Sequence, residues 1–142
     1  MKDFEKELAF LLEYEESNDR YQLCEKELQS LKEKYPNVPN DYIAYLREIG
    51  VGTIREIQFR ISDSPFNLKD LGLDGIYDLP ATILFFGDNY SGDFAGFDLS
   101  ISKDEVIEFW HDSNEIYHTN KSFREYIQEQ MLMDENGSDL RT

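Results

Sequence analysis

The stretch from Ile83 to Ser100, ILFFGDNYSGDFAGFDLS, constrains this chain more than any other. An apolar run, Ile83 to Phe86, ends at Gly87, and a polar loop, Asp88 to Asp93, leads into a second strand-like run, Phe94 to Leu99. Parallel strands need a crossover of about a dozen residues or more, and this loop is too short for one. The two runs must therefore pair antiparallel. Gly87 and Gly92 supply the backbone freedom of tight turns, and the Asp and Asn side chains between them can satisfy loop amides. Two further strands are predicted at Val106–Trp110 and Glu115–Thr119, again too close together for helical crossovers.

Around this segment the apolar spacing is helical. Phe4, Leu8, Leu11 and Leu12 predict a helix over 3–15, inside an N-terminal helical segment 1–18. Ser17, Asn18 and Asp19 interrupt it with capping oxygens. Tyr21, Cys24, Leu28, Leu31 and Tyr35 then recur at intervals of three and four, which predicts a second helix over 19–34, stopped by Pro36. Cys24 lies on its apolar seam and reads as inert core. Asn40 reads as the N-cap of a third helix over 41–49, with Tyr42, Tyr45, Leu46 and Ile49 on one face and Gly50 after its end. Ile57, Phe59 and Ile61, alternating with Gln58 and Arg60, predict a half-buried strand. Ser62–Pro65 and Leu71–Pro80 read as loops. A last helix, Ser122–Met131, capped by Ser122, would bury Phe123, Tyr126, Ile127 and Met131, and the polar end 133–142 is expected to fray. The expected class is α+β, one domain over 1–142, with a predominantly antiparallel sheet from about residue 53 to 119 packed against helices.

Charge narrows the function. The formal net charge is −16, and residues 81–120 alone hold eight carboxylates against Lys103. Such a surface repels phosphate, so no nucleic-acid partner is expected; it favours a basic protein and speeds the encounter. The same balance also serves plain solubility. Nine Tyr, ten Phe and one Trp promise a substantial core. The lone Cys24 allows no internal disulfide and fits a reducing compartment. No run approaches the ~18 apolar residues of a membrane helix, and the N-terminus lacks a signal-peptide apolar region. A cytoplasmic protein without membrane contact is expected.

Few residues invite chemistry. Oxygen ligands cluster in the Asp88–Asp93 loop, but a calcium loop of the EF-hand kind wants a glutamate at its last position, where Leu99 stands, and its flanks would be helices. Turn-forming side chains explain the cluster without a metal. His111 and His118 are the only histidines; with Asp112 or Glu115 they offer an acid–base pair, or else they are exposed strand residues. There is no phosphate loop, dinucleotide fingerprint, paired-cysteine zinc spacing or supported nucleophile. Neither catalytic residues nor a metal nor a cofactor is expected. Trp110 reads as core or as a partner anchor. By charge, the contact surface is placed at Asp88, Asn89, Tyr90, Asp93, Trp110 and Asp112.

Several motifs in order carry a resemblance. Val38-Pro39-Asn40-Asp41-Tyr42, then Tyr45-Leu46 and Gly50-Val51-Gly52, look like a proline-led helix followed by a glycine turn. Phe86-Gly87-Asp88 with Gly92-Asp93 resembles a central glycine–aspartate hairpin, and Val106 to His111, Ser122-Phe123 and Tyr126-Ile127 resemble closing strands and helix. Together, over about residues 19–132, they resemble the SUKH superfamily, which includes the yeast Smi/Knr cell-wall regulators; Val51 departs from the small residue often found at its position. The resemblance implies helices against a curved sheet. In the bacterial branch it implies an immunity protein that neutralises a polymorphic toxin, often a nuclease. The alternative is an intracellular regulatory or scaffold module of the Smi/Knr type.

Overall fold

The computed structural model describes residues 3–16, 18–67, 70, 72, 82–100, 104–113, 115–134, 136–137 and 140. Among them are four helices, α1 (Glu5–Tyr14), α2 (Glu25–Lys34), α3 (Asn40–Glu48) and α4 (Phe123–Met131). The strands are β1 (Gly52–Ile54), β2 (Phe59–Phe66), β3 (Ile83–Asp88), β4 (Phe94–Asp98), β5 (Ile107–Trp110) and β6 (Glu115–His118). They form one sheet in chain order, β1 to β6, with every neighbouring pair antiparallel. The α+β class and the antiparallel sheet read from the sequence are both present.

The period of two along each strand divides the apolar residues between the faces of the sheet. Leu84 and Phe86 of β3, with Ala95 and Phe97 of β4, join the helices in the main core. Ile83, Phe85, Ile107 and Phe109 form a second cluster on the opposite face, with Phe66, Phe94 and Ile116 packed against it. Both faces of β3 are thus apolar, which is why Ile83–Phe86 is a continuous hydrophobic run. In the main core Phe123, at the start of α4, is the hub. Its ring centre lies 5.5 Å from Tyr42, 5.6 Å from Tyr45, 5.1 Å from Phe86, 6.1 Å from Phe97 and 6.4 Å from Phe4.

Buried polar groups tie the helices together. Glu48 of α3 accepts the Asp3 and Phe4 amides at 3.0 and 2.8 Å, satisfying donors at the start of α1 that no local side chain caps. Glu7 of α1, 1% exposed, accepts from Arg124 Nη1 at 3.1 Å and Gln128 Nε2 at 2.9 Å on α4. The Arg124 guanidinium also lies 4.1 Å from the Phe4 ring centre, so the cation faces an aromatic surface as well as a carboxylate.

Several expectations are corrected. The second helix begins at Glu25 rather than at residue 19, because residues before it are extended against the sheet. Tyr21 and Val51 exchange two backbone hydrogen bonds, 3.1 and 3.0 Å, and the Leu23 amide donates to Leu46 O. Gly50 makes this approach possible: its φ is +104°, and a Cβ there would lie 1.9 Å from Tyr21 O. Tyr21 is consequently exposed, and Cys24 is an exposed residue at the helix start rather than inert core. Ile57 is not in a strand. Ile54 pairs with Phe59, so Arg55–Gln58 must reverse the chain; Arg55, Glu56 and Ile57 take φ of 56°, 51° and 68°, and Ile57 is exposed. Ser62–Pro65 belongs to β2, where an irregular register between Ile61 and Phe66 accommodates Pro65. Asn40 is the first residue of α3, with Pro39 before it as the cap. The anticipated Leu71–Pro80 loop lies outside the described residues, except Gly72. At the C-terminal end, Met133 is buried and the Leu140 amide donates to Leu132 O, while Leu140 itself is exposed.

Phe123→Ala removes the ring on which three helices and two strands converge. It should cost about 3–5 kcal/mol in equilibrium unfolding by denaturant; a loss below about 1 kcal/mol would show that the hub is misidentified.

Candidate protein-binding surface

The meander order brings two turns to the same end of the sheet. Asp88 pairs with Phe94 across β3–β4, and Phe94 with Phe109 across β4–β5, so the Asn89–Asp93 loop lies beside the turn that follows Trp110. The charge-based contact surface is therefore one corner, although its residues come from two separate hairpins.

Asp88 differs most from its expected role. It is 6% exposed; its Oδ2 is 2.7 Å from Arg60 Nη2, and its Oδ1 accepts the Tyr90 amide at 3.0 Å. It is an internal anchor of the loop, not an open carboxylate. Arg60, whose alternation on a strand gave no hint of this use, also lies 5.7 Å from the Tyr90 ring centre. Tyr90 takes φ +65° and stays half exposed, held outward by the Asp88–Arg60 pair. Partial burial pushes its phenol above the ordinary tyrosine value. Asn89 Oδ1 accepts the Ser91 amide at 2.9 Å and the Asp93 amide at 3.4 Å, as a turn-forming side chain should.

Asp93 connects the two hairpins. Its Oδ1 accepts the His111 amide at 3.2 Å and meets His111 Nδ1 at 3.0 Å, while His111 Nε2 is 2.9 Å from Asp112 Oδ1. Gly92, at φ +93°, is required: a Cβ would sit 2.9 Å from His111 Nδ1. The Asp112 side chain is 87% exposed and is the open carboxylate of the corner. His118 lies at the other end of the β5–β6 hairpin, paired in register with Ile107, and meets Glu105 Oε1 at 3.0 Å. The two histidines are not brought together; His111 lies between Asp93 and Asp112, and His118 meets Glu105. Among the described residues no group of three or more His, Cys, Asp or Glu could hold a metal ion.

Trp110 is neither core nor a lone anchor. Its ring stacks on Tyr117 with centres 4.7 Å apart and planes 7° from parallel, and the two residues are 38% and 49% exposed. Glu108 fixes the pair from below: Oε1 accepts the Trp110 indole N–H at 3.2 Å, and Oε2 accepts the Tyr126 hydroxyl at 2.6 Å. Burial and the adjacent Glu108 carboxylate push the Tyr126 phenol well above its usual range, so it remains a proton donor to Glu108. Sequence reasoning singled out Trp110 but not Tyr117 or Glu108. Their two-residue strand spacing places them on one face only once the β5–β6 register is known.

A family model described as SMI1 / KNR4 family (SUKH-1) matches residues 23–129, which runs from the strand-like segment before α2 to within α4. No curated protein matches the chain, and no solved structure does. Among the described residues no helix is long and apolar enough to cross a membrane.

Two substitutions separate scaffold from surface. Asp88→Ala removes the acceptor of the Tyr90 amide and the ion-pair partner of half-exposed Arg60, and should cost about 1–3 kcal/mol in denaturant unfolding. Asp112→Ala should leave the unfolding midpoint unchanged. Equal stability of both variants would contradict the anchoring role of Asp88.

Proposed function

The chain belongs to the SMI1/KNR4 family (SUKH-1), and from that premise we propose that it is an immunity protein, a stoichiometric inhibitor that binds a basic toxin. The observation that carries this reading is the acidic corner itself. Exposed Asp112, half-exposed Asp93 and Tyr90, and the stacked Trp110–Tyr117 pair share one end of a chain with net charge −16. A nuclease toxin has to attract phosphate, so its cleft is basic. Carboxylates of the inhibitor steer the encounter and take the place of phosphate, while aromatic rings supply desolvated contact area. Asn89 and Tyr90 belong to the same contact surface, and Asp88 serves it by holding their loop. Such an inhibitor needs no catalytic group, cofactor or metal, and it would meet its toxin in the cytoplasm.

Co-expression with the product of the toxin gene encoded next to its own should restore growth, and the purified pair should neutralise at one-to-one stoichiometry. The association rate should fall about tenfold or more from low to physiological salt. Asp112→Lys, at the exposed carboxylate of the corner, should slow association further without changing the dissociation rate much. Protection at strongly sub-stoichiometric amounts, lost in a folded His111→Ala variant, would overturn this in favour of an enzyme. Absence of any neighbouring toxin, with a cellular regulator captured instead, would favour the regulatory module.

A further inference from the structure

The two edges of the sheet are treated differently. At β1, Asp19 Oδ1 accepts the outward Thr53 amide at 2.9 Å and the Thr53 hydroxyl at 2.6 Å, and Arg20 Nη1 donates to the outward Thr53 carbonyl at 2.8 Å. The Tyr21–Val51 backbone pair extends this cover. That edge is closed by dedicated groups, as exposed strand edges generally must be. At β6 no strand pairs with the outer edge among the described residues.

The register decides which groups that open edge presents. Thr119 N donates to Val106 O, so Ile107 and His118 form a non-hydrogen-bonded pair, and Glu108 with Tyr117 a hydrogen-bonded one. The backbone groups of Tyr117 and Glu115 are therefore turned toward β5. Those of Ile116 and His118 point outward. By the same alternation the side chains of Glu108, Trp110, Glu115 and Tyr117 lie on one face of the β5–β6 hairpin, since Ile107, Phe109 and Ile116 are on the other. Residues 104–118 carry Asp104, Glu105, Glu108, Asp112 and Glu115 and no lysine or arginine.

We propose that the outer edge of β6, with the Trp110–Tyr117 pair, is a docking edge for an extended, arginine-bearing segment of a partner protein that adds as a further strand. The inference rests on the reading of a basic partner given above and specifies where and how such a partner is gripped. Ile116 and His118 supply the main-chain hydrogen bonds. The incoming residue opposite Tyr117 then occupies a non-hydrogen-bonded position, where side chains approach most closely. An arginine there lays its guanidinium against the exposed rings, with Glu115 beside it. Charge selects this occupant over a second copy of the chain, because a second copy brings another 104–118 segment with the same five carboxylates and no lysine or arginine to meet Glu115 of this edge and the acids beside it.

The test titrates the full-length, isotope-labelled protein with an alternating arginine–threonine peptide, blocked at both ends. The comparison peptides are the same sequence N-methylated at every residue, and an alternating glutamate–threonine peptide. Amide shifts should concentrate at Ile116 and His118, with the Trp110 indole, and the methylated peptide should bind about tenfold more weakly despite equal charge. Tyr117→Ala should weaken binding comparably. His118→Pro removes an outward N–H while sparing the β5 ladder, and should do the same; if that variant fails to fold, the methylated peptide on the unaltered protein decides. Equal binding of both arginine peptides, or shifts spread over all acidic surfaces, would overturn the proposal in favour of diffuse electrostatics. No binding of the arginine peptide would overturn it too, as would dimerisation through β6 in sedimentation without peptide. None of these failures touches the salt-dependent binding of a basic toxin, which would then fall to the Asn89–Asp93 corner alone.

Discussion

The packing of rings around Phe123 is the constraint on which the rest of the structure depends. A single side chain at the first turn of α4 touches Phe4 before α1, Tyr42 and Tyr45 of α3, Phe86 of β3 and Phe97 of β4. Most of these contacts are edge-to-face or tilted, the geometry aromatic quadrupoles favour, so they set orientation as well as bury area. Because three helices and the sheet centre share one ring, their relative placement is determined together. Ser122 secures the position of that ring by accepting the Glu125 amide at 3.2 Å while Glu125 accepts the Ser122 amide at 3.0 Å, a reciprocal cap at the start of α4.

Polar groups then add specificity to an arrangement that apolar packing alone would leave adaptable. Glu48 and Glu7 are buried carboxylates that bond main-chain or side-chain donors of other elements. Glu15 accepts the Glu56 amide and Glu56 accepts the Glu16 amide, at 2.8 and 2.7 Å, which fastens the end of α1 to the left-handed turn between β1 and β2. The N-terminal helix is therefore held at both ends and along its length. This matters for the Trp110–Tyr117 pair, since α4, held through Arg124 and Gln128, carries the Tyr126 hydroxyl that fixes Glu108 beneath Trp110. A line of specific contacts runs from the core to the exposed rings.

The corner combines rigidity with charge. Its loop conformation is held by Asp88, Asn89 and Asp93, each bonded to loop or neighbouring-hairpin amides. Carboxylates committed to that scaffold are distinct from those left open to solvent, such as Asp112. For the binder of a basic toxin proposed above the division would be useful: preorganised loops lose little conformational freedom on association, and open acids act at long range.

Much of this was legible in the sequence. The apolar run into a glycine–aspartate loop at Ile83–Phe94 demanded an antiparallel hairpin, and the 3.6-residue spacings of α1, α3 and α4 named Leu11, Tyr42, Leu46, Phe123 and Ile127 as core, which they are. The family resemblance rested on those same local motifs. Tertiary structure alone decided that residues 19–23 lie extended against Val51 rather than in a helix, because backbone pairing with a distant strand outweighed a helical spacing of apolar side chains. It also decided that Asp88 is an internal ion pair with Arg60, and that Trp110 has Tyr117 as its partner. The reason is physical. Periodicity and turn chemistry act between residues a few positions apart and can be read along the chain. Which carboxylate is buried, which rings stack and which sheet edge has no partner strand among the described residues depend on register between strands that no local pattern encodes.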